Sequence, residues 1–173
     1  LCGFLTVQMY GCTTEFISVL IEENNPIRVA GCPPDAFAKT GQLWGNPLYN
    51  WEYQSKDRVR MVIQRIRYCF QLYDVVRIDH FRGFDEYYAI PYGEPTAENG
   101  TWMPGPGMKL FQAIEKELGR PEIIAEDLGF LTESVLQMLK EVDPGNEGAS
   151  SLHLIQAGNQ FIFLTDILKI VLV

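Results

Sequence analysis

Two short stretches of the chain share one pattern, an apolar run that ends in charged residues and a glycine. They are Val75–Phe84 and Glu122–Gly129. Runs of β-branched apolar residues are typical of strands that are buried on both faces of a sheet. Parallel α/β folds place reactive groups where such strands end, at the carboxyl edge of the sheet. The two stretches therefore predict two parallel strands that deliver ionisable residues to one shared site.

Each stretch contributes one carboxylate to this site, Asp79 and Glu126, and these are 47 positions apart, which leaves room for a loop–helix crossover. Neighbouring strands are about 4.8 Å apart, so carboxyl groups about 5–5.5 Å apart are feasible, as in retaining glycosidases. One carboxylate would attack the anomeric carbon of a sugar, and the other would protonate the leaving oxygen. Arg77 shares the strand face of Asp79 and would keep the nucleophile ionised.

A purely structural interpretation remains open, in which Arg77, Asp79, Arg82 and Glu126 form a salt-bridge network without a catalytic role. The aromatic-rich loops favour sugar chemistry, because the faces of a pyranose ring are apolar. Individually, each aromatic residue is more typical of a protein core. The candidates for contact with sugar are Trp44, Tyr49, Trp51, Tyr87, Tyr88 and Trp102.

Hydrophobic periodicity predicts three helices around these strands. Apolar residues at three- and four-residue intervals predict an amphipathic helix over Lys56–Tyr73, and its basic residues are interpreted as a solvated face. A second helix is predicted over Leu110–Leu118 and ends at Gly119. Thr132 is the predicted N-cap of a third helix.

The segments between these elements are rich in glycine, proline and aromatic residues, which indicates long functional loops. The predicted loops are Gly31–Phe37, Thr40–Trp51 and Asp85–Gly107. Residues 1–27 and 144–173 are left unassigned. The tail Phe161–Val173 is apolar, but it is too short and too charged to span a bilayer.

Composition narrows the classes of function. The chain has 173 residues, enough for the core of one domain, and its net charge of −8 argues against nucleic-acid binding. The four cysteines are widely spaced and only two histidines accompany them, so no metal site is expected and the thiols are predicted to be free in a reducing compartment. No signal peptide is recognised, since the first basic residue is Arg28.

Four motifs in order resemble one family. They are Gly31-Cys32-Pro33-Pro34-Asp35-Ala36-Phe37, Thr40-Gly41-Gln42-Leu43-Trp44-Gly45-Asn46-Pro47-Leu48-Tyr49, Arg77-Ile78-Asp79-His80-Phe81-Arg82-Gly83-Phe84 and Ile124-Ala125-Glu126-Asp127-Leu128-Gly129. Together they resemble the 4-α-glucanotransferases, also called amylomaltases or disproportionating enzymes (glycoside hydrolase family 77, α-amylase superfamily). This resemblance covers roughly residues 28–140. It implies an α/β fold, and within it a partial, unclosed (β/α)8 barrel over residues 28–143.

The resemblance also implies roles for individual residues. Asp79 would be the nucleophile at the end of the fourth barrel strand, Glu126 the acid/base at the end of the fifth, and Arg77 the arginine beside the nucleophile. The residues expected to line the glucan site are Asp35, Gln42, Trp44, Asn46 and His80. The implied reaction moves an α-1,4-glucan segment to the 4-hydroxyl of glucose or another glucan through a covalent glycosyl–enzyme intermediate. Its partners would be maltooligosaccharides and α-1,4-glucans, without a cofactor, a metal, nucleic acid or a membrane.

The chain departs from the family pattern in two respects. The third catalytic acid of the family, an aspartate late in the barrel, has no matching motif after Glu126, and the surroundings of Asp166 do not fit it. A complete barrel takes about 250 residues, so the chain is expected to be an interior piece without activity of its own. An α-glucan hydrolase and a non-catalytic glucan-binding remnant are the alternatives. The expected location is the cytoplasm, or the plastid in a plant or alga.

Overall fold

The computed structural model describes residues 25–126 and 132–142 and two further segments, 152–155 and 167–171. Its helices are α1 (Trp51–Lys56), α2 (Arg60–Leu72), α3 (Met108–Leu118) and α4 (Glu133–Val142). Its strands are β1 (Arg28–Cys32), β2 (Gln42–Pro47), β3 (Val75–Asp79), β4 (Glu86–Pro91), β5 (Thr101–Pro104), β6 (Ile123–Glu126), β7 (Leu152–Ile155) and β8 (Ile167–Val171). The architecture is mixed α/β with an open sheet, which agrees with the predicted α/β class.

The first sheet is parallel throughout and has the strand order β7-β6-β3-β8. Its strands β3 and β6 arise from the two apolar stretches of the sequence, and they are parallel neighbours as predicted. Val76 and Ile78 on β3 and Ala125 on β6 are completely buried. The tail contributes β8, which pairs with the other side of β3. The sequence Asp143-Pro144-Gly145-Asn146 predicts a turn, and the apolar run Phe16–Ile21 fits either a strand or a buried helical turn. Both lie outside the described residues.

The second sheet is antiparallel, with the order β2-β1-β4-β5, and it shows that the three loop predictions were wrong in part. β4 and β5 lie inside the predicted loop Asp85–Gly107, and β2 lies inside Thr40–Trp51. Gly31 and Cys32 complete β1 instead of opening a loop. Pro47, Pro91 and Pro104 are each the last residue of a strand, where a missing N–H does not interrupt the ladder.

Close approach of strands explains the glycine in the middle of this sheet. A Cβ atom on Gly31 would lie 2.2 Å from the carbonyl oxygen of Gln42 on β2 and 2.4 Å from Cδ1 of Ile90 on β4. Any side chain at this position would therefore separate β1 from both of its neighbours. The glycine that suggested a turn is required by the packing of a strand.

The single helix predicted over Lys56–Tyr73 is two helices, and this prediction was also wrong at its start. α1 ends at Lys56 and α2 begins at Arg60, because Arg58 and Val59 adopt the left-handed conformation with φ of 53° and 50°. This conformation is unfavourable for a β-branched residue such as Val59. Burial of the Val59 side chain in the core, where it is 6% exposed, offsets that strain.

The other two helix predictions are confirmed. α3 ends at Leu118, and Gly119 follows with φ of 75° and donates its N–H to the carbonyl of Glu115. Thr132 precedes α4, and its Oγ1 accepts a hydrogen bond from the N–H of Val135. No helix among those described is long and apolar enough to cross a bilayer.

An aromatic cluster joins the end of β3 to α3. The chain leaves β3 through one 3-10 turn at Phe81–Phe84, and both phenylalanine side chains are buried. Their ring centroids lie 5.3 Å from that of Phe111 on α3 and 5.8 Å from each other. Aromatic pairs at such distances add about 0.5–1.5 kcal/mol beyond their buried area. The cluster therefore anchors the backbone that follows Asp79.

Two leucines on neighbouring helices test this assignment of the core. Leu110 on α3 is fully buried, whereas Leu136 on α4 is 41% exposed. We expect Leu110→Ala to lower the free energy of unfolding by about 2–5 kcal/mol, because it removes apolar contacts and leaves a cavity. The matched change Leu136→Ala should cost less than about 1 kcal/mol. Urea denaturation measures both, and equal losses would contradict the packing described here.

Candidate active site

The carboxyl ends of β3 and β6 form the candidate site. Asp79 and Glu126 are the last residues of their strands and are register partners in the parallel pairing. The two strand ends therefore meet at one edge of the sheet, about 4.8 Å apart. The side chain of Glu126 lies outside the described part of the structure, so the separation of the two carboxyl groups stays a prediction.

Asp79 forms an ion pair with Arg77. Nε of Arg77 donates to Oδ1 of Asp79 at 3.1 Å, and the residue Asp79 is only 8% exposed. The contact follows from alternation along the strand, because residues two apart share a face. A guanidinium hydrogen-bonded to a nearly buried carboxyl group favours its ionised form. An ionised, desolvated carboxylate is the state that a nucleophile requires.

His80 turns the chain away from this edge with an unusual backbone. It adopts the left-handed conformation, with φ and ψ both 56°, and its carbonyl accepts a hydrogen bond from the N–H of Gly83 at 2.9 Å. Such a conformation costs about 1–3 kcal/mol in a residue other than glycine and persists where the surroundings enforce it. Burial of the following Phe81 supplies that enforcement. His80 is thereby held directly beside Asp79.

The strand β2 brings its own polar face to His80. Gln42, Trp44 and Asn46 all belong to β2. Gln42 and Trp44 share a face of it, and Asn46 follows an irregular stretch of the ladder at Gly45, whose φ is 78°. The Nε1–H of Trp44 donates to Oε1 of Gln42 at 3.1 Å, and the Trp44 ring meets the His80 ring edge-on at 5.1 Å. Four of the five predicted glucan-site residues therefore lie in two places. Three are on β2, and His80 directly follows β3, where Trp44 contacts it.

Asp35 differs from that group, because its side chain stabilises its own loop. Its Oδ1 accepts hydrogen bonds from the N–H groups of Phe37 and Ala38 at 2.8 and 2.6 Å. Aspartate commonly closes turns in this way. The bonds hold the exposed Phe37 at the loop surface.

Most of the other aromatic candidates prove to be structural. Trp51, Tyr87 and Tyr88 are buried, and burial raises the pKa of the Tyr87 phenol. Trp102 is 38% exposed, with the guanidinium of Arg82 at 4.2 Å from its ring centroid and the Tyr88 ring at 5.3 Å. The hydroxyl of Tyr49 accepts from Arg65. Among the six candidates, Trp44 contacts a residue at the end of β3, which sequence spacing alone did not distinguish.

The residue types that can ligate a metal are dispersed over the described part of the chain. It contains no cluster of three or more His, Cys, Asp or Glu side chains suited to an ion. Cys32 and Cys69 are not disulfide-bonded, and burial raises the pKa of the Cys69 thiol. Cys2 and Cys12 lie outside the described residues. The chemistry available here is that of carboxylates, an arginine and a polar aromatic face.

Comparison with known proteins decides the family. The family profile described as 4-alpha-glucanotransferase matches residues 14–146. The chain belongs to the 4-alpha-glucanotransferase family. It is 55% identical over 119 residues to a 4-alpha-glucanotransferase of Clostridium butyricum, which covers 69% of this chain and 24% of that protein. A chloroplastic/amyloplastic 4-alpha-glucanotransferase of Solanum tuberosum is 44% identical over 144 residues, 83% of this chain and 25% of that one.

A solved relative supports the same assignment. The amylomaltase of Streptococcus agalactiae, determined in complex with acarbose, superposes with a TM-score of 0.72 at 40% identity over 76% of this chain and 26% of that one. The chain therefore spans about a quarter of the length of the relatives that it matches. The family resemblance expected from the four motifs is confirmed.

Replacement of Arg77 tests the ion pair at the site. We expect Arg77→Met to lower the free energy of unfolding by about 1–3 kcal/mol at neutral pH, because it leaves the Asp79 carboxylate without this hydrogen bond in a nearly buried position. This expected loss is smaller than the about 3–5 kcal/mol that removal of one partner from a fully buried ion pair costs, because a third of the Arg77 side chain is exposed.

The matched control is Arg120→Met, which removes an exposed pair with Glu115 and should cost less than about 1 kcal/mol. The Arg77 effect should shrink at acid pH, where a protonated carboxyl group no longer attracts the guanidinium. An effect of Arg77→Met equal to that of Arg120→Met at neutral pH, or independent of pH, would contradict the description.

Proposed function

We propose that this chain forms part of the catalytic barrel of a 4-α-glucanotransferase that transfers α-1,4-glucan segments to the 4-hydroxyl of glucose or another glucan. The observation that carries the proposal is the register of β3 and β6, which pairs Asp79 with Glu126 at the carboxyl edge of a parallel sheet. Membership of the 4-alpha-glucanotransferase family supports it. In a barrel, this edge is the face that bears the active site.

Asp79 acts as the nucleophile in the first step. Its carboxylate attacks the anomeric carbon of the donor glucan and forms a glycosyl–enzyme ester as the bond to the leaving sugar breaks. The hydrogen bond from Arg77 orients the attacking carboxylate and maintains its charge. Because the carboxylate is nearly buried, few water molecules compete with the sugar for it.

Glu126 acts as the acid/base. It protonates the leaving glycosidic oxygen in the first step and removes a proton from the 4-hydroxyl of the acceptor in the second. The charge of Asp79 on the neighbouring strand favours the protonated form of the acid before the first step. Two inversions at the anomeric carbon retain the α configuration of the new bond.

The face of β2 supplies the glucan contacts. Trp44 offers an aromatic surface, and Gln42, Asn46 and His80 offer hydrogen-bonding groups around it. Asp35 holds the preceding loop in shape through its own backbone contacts. A solved relative in complex with acarbose supports a site for oligosaccharide-like ligands. Maltooligosaccharides and α-1,4-glucans are the proposed partners.

The partial (β/α)8 barrel and the inactivity of this chain alone also belong to the proposal. The parallel sheet is open in the described residues, and the third acid of the family has no matching motif after Glu126. An oxocarbenium-like transition state without that carboxylate loses part of its electrostatic stabilisation. The proposed location is the cytoplasm, or the plastid if the source is a plant or alga, which the name of the potato relative illustrates.

The catalytic pair is tested by two isosteric replacements in the whole protein that carries this chain. Asp79→Asn should abolish the glycosyl–enzyme intermediate, because the amide does not attack the sugar. Glu126→Gln should lower the rate on maltotriose by about 10²–10⁴-fold, yet α-glucosyl fluoride, whose leaving group needs little protonation, should still form the intermediate. Mass spectrometry of the trapped protein and chromatography of the products measure these outcomes.

Near-normal rates of both variants on maltotriose would remove Asp79 and Glu126 from the mechanism. The products also separate the alternatives. A ladder of longer and shorter maltooligosaccharides indicates transfer, and glucose with maltose alone indicates a hydrolase. Retention on immobilised starch without either product indicates a glucan-binding remnant. The isolated 173 residues are expected to give no products in the same assay.

Trp44 is tested through substrate use. Trp44→Ala should raise KM for maltotriose strongly, because stacking of an aromatic ring on a glucose ring is lost. The protein should stay folded, because Trp44 is only partly buried against the core. Trp44→Phe keeps an aromatic face and should recover most of the affinity. Unaltered kinetics of Trp44→Ala, or its gross unfolding, would return Trp44 to the role of a packing residue.

A further inference from the structure

A side-chain hydrogen bond joins the two segments that follow the candidate catalytic strands. Asp85 lies six residues after Asp79, and Ser134 lies eight residues after Glu126. Oγ of Ser134 donates to Oδ2 of Asp85 at 2.6 Å. The contact spans 49 residues of sequence and connects the end of the turn after β3 to the first turn of α4.

The hydrogen bonds around Ser134 have only one consistent direction. Ser134 Oγ has a single proton, which it donates to Oδ2 of Asp85. The contact of 2.9 Å between Thr132 Oγ1 and Ser134 Oγ must then be donated by Thr132. Thr132 Oγ1 in turn accepts from the N–H of Val135. The N-cap of α4 is thus the start of a directed relay that ends on a carboxylate, and charge-assisted relays of this kind are stronger than isolated neutral bonds.

Asp85 is the rigid end of this relay. Its N–H donates to the carbonyl of Arg82 at 2.9 Å, and its carbonyl accepts from the N–H of Gly105 at 2.7 Å. Gly105 is packed so tightly that a Cβ atom there would lie 2.2 Å from the carbonyl oxygen of Phe84. Phe84 belongs to the aromatic cluster that follows β3. The backbone of Asp85 is therefore tied to the turn that follows β3 and to Gly105, and the Ser134 hydrogen bond joins α4 to it.

We propose that Asp85 and Ser134 are positioning residues, which fix the start of α4 against the turn after β3 and so hold the acid/base Glu126 in place beside Asp79. This inference rests on the proposed function. Chemistry with two carboxylates depends on their separation, and a misplacement of 1 Å can cost about 10²-fold in rate. A bond that spans the two following segments restrains that separation without contact with the sugar.

The proposal predicts that the loss of rate in variants of Ser134 and Asp85 depends on the leaving group of the donor. In the whole protein, Ser134→Ala should lower kcat on maltotriose by about tenfold. This loss is a fraction of the rate enhancement of about 10²–10⁴-fold that a general acid contributes. KM should change less than about twofold. The rate of intermediate formation from α-glucosyl fluoride should fall less than about twofold, because that donor needs little protonation. Ser134→Thr keeps the hydroxyl and should restore kcat on maltotriose.

Three further variants complete the experiment. Ser55→Ala is the matched control, since Ser55 also uses its hydroxyl in an exposed helical hydrogen bond but lies on α1. Asp85→Ala should reproduce the effect of Ser134→Ala, and the double variant should lose no more than either single one. Additive losses, or equal losses on both donors, would overturn the inference and indicate a general loss of structure.

The outcomes also separate this inference from the proposed function. If Asp79→Asn is inactive and Ser134→Ala behaves like Ser55→Ala on both donors, the positioning role is wrong and the proposed function stands. If Asp79→Asn keeps its activity, the proposed function itself is wrong. If Ser134→Ala does not fold, Asp85→Asn takes its place, since the amide keeps a weaker acceptor. Its rates on the two donors are compared with those of Ser55→Ala. Equal rates of these two variants would refute the positioning role.

Discussion

The in-register parallel pairing of β3 with β6 is the constraint on which the rest of the structure depends. It brings Asp79 and Glu126 to the same edge although they are 47 positions apart in sequence. A slip of one residue in the pairing would move every side chain of β3 to the opposite face of the sheet. Arg77 and Asp79 would then lie on the wrong face. Complete burial of Val76 and Ile78 opposes such a slip, because it would bring charged side chains into the core.

The segment after β3 converts this pairing into a defined site. His80 bends the chain with a left-handed backbone, and Phe81 and Phe84 pack on α3 immediately afterwards. Hydrophobic burial therefore maintains a local conformation that would be unfavourable in an isolated peptide. The same turn leads to Asp85, whose carboxylate meets α4. The edge that bears the candidate carboxylates is thus flanked by elements whose own packing determines where they lie.

The antiparallel sheet has a different role in the proposed enzyme, since it positions the proposed sugar-binding surface. β2 is held at its place by β1, and close approach at Gly31 allows both β2 and β4 to pair with that strand. As a result Trp44 reaches His80, which lies 36 positions further along the chain. In the proposed enzyme, one sheet presents the reacting carboxylates and the other presents the sugar-binding face.

The sequence by itself determined the parallel strands, α3, the cap of α4, the contact of Arg77 with Asp79 and the family, because these depend on local alternation, local caps and contiguous motifs. Only the tertiary structure decided the antiparallel sheet, the break between α1 and α2 and the separation of Trp44 from the buried aromatic residues. Glycine and proline around β1, β2, β4 and β5 indicate turns when the local sequence is considered alone. The pairing of these strands is stabilised by contacts between residues far apart in sequence, and a short stretch of sequence does not contain that information. The left-handed Val59 is likewise stabilised by burial against distant residues, which helix periodicity does not reveal.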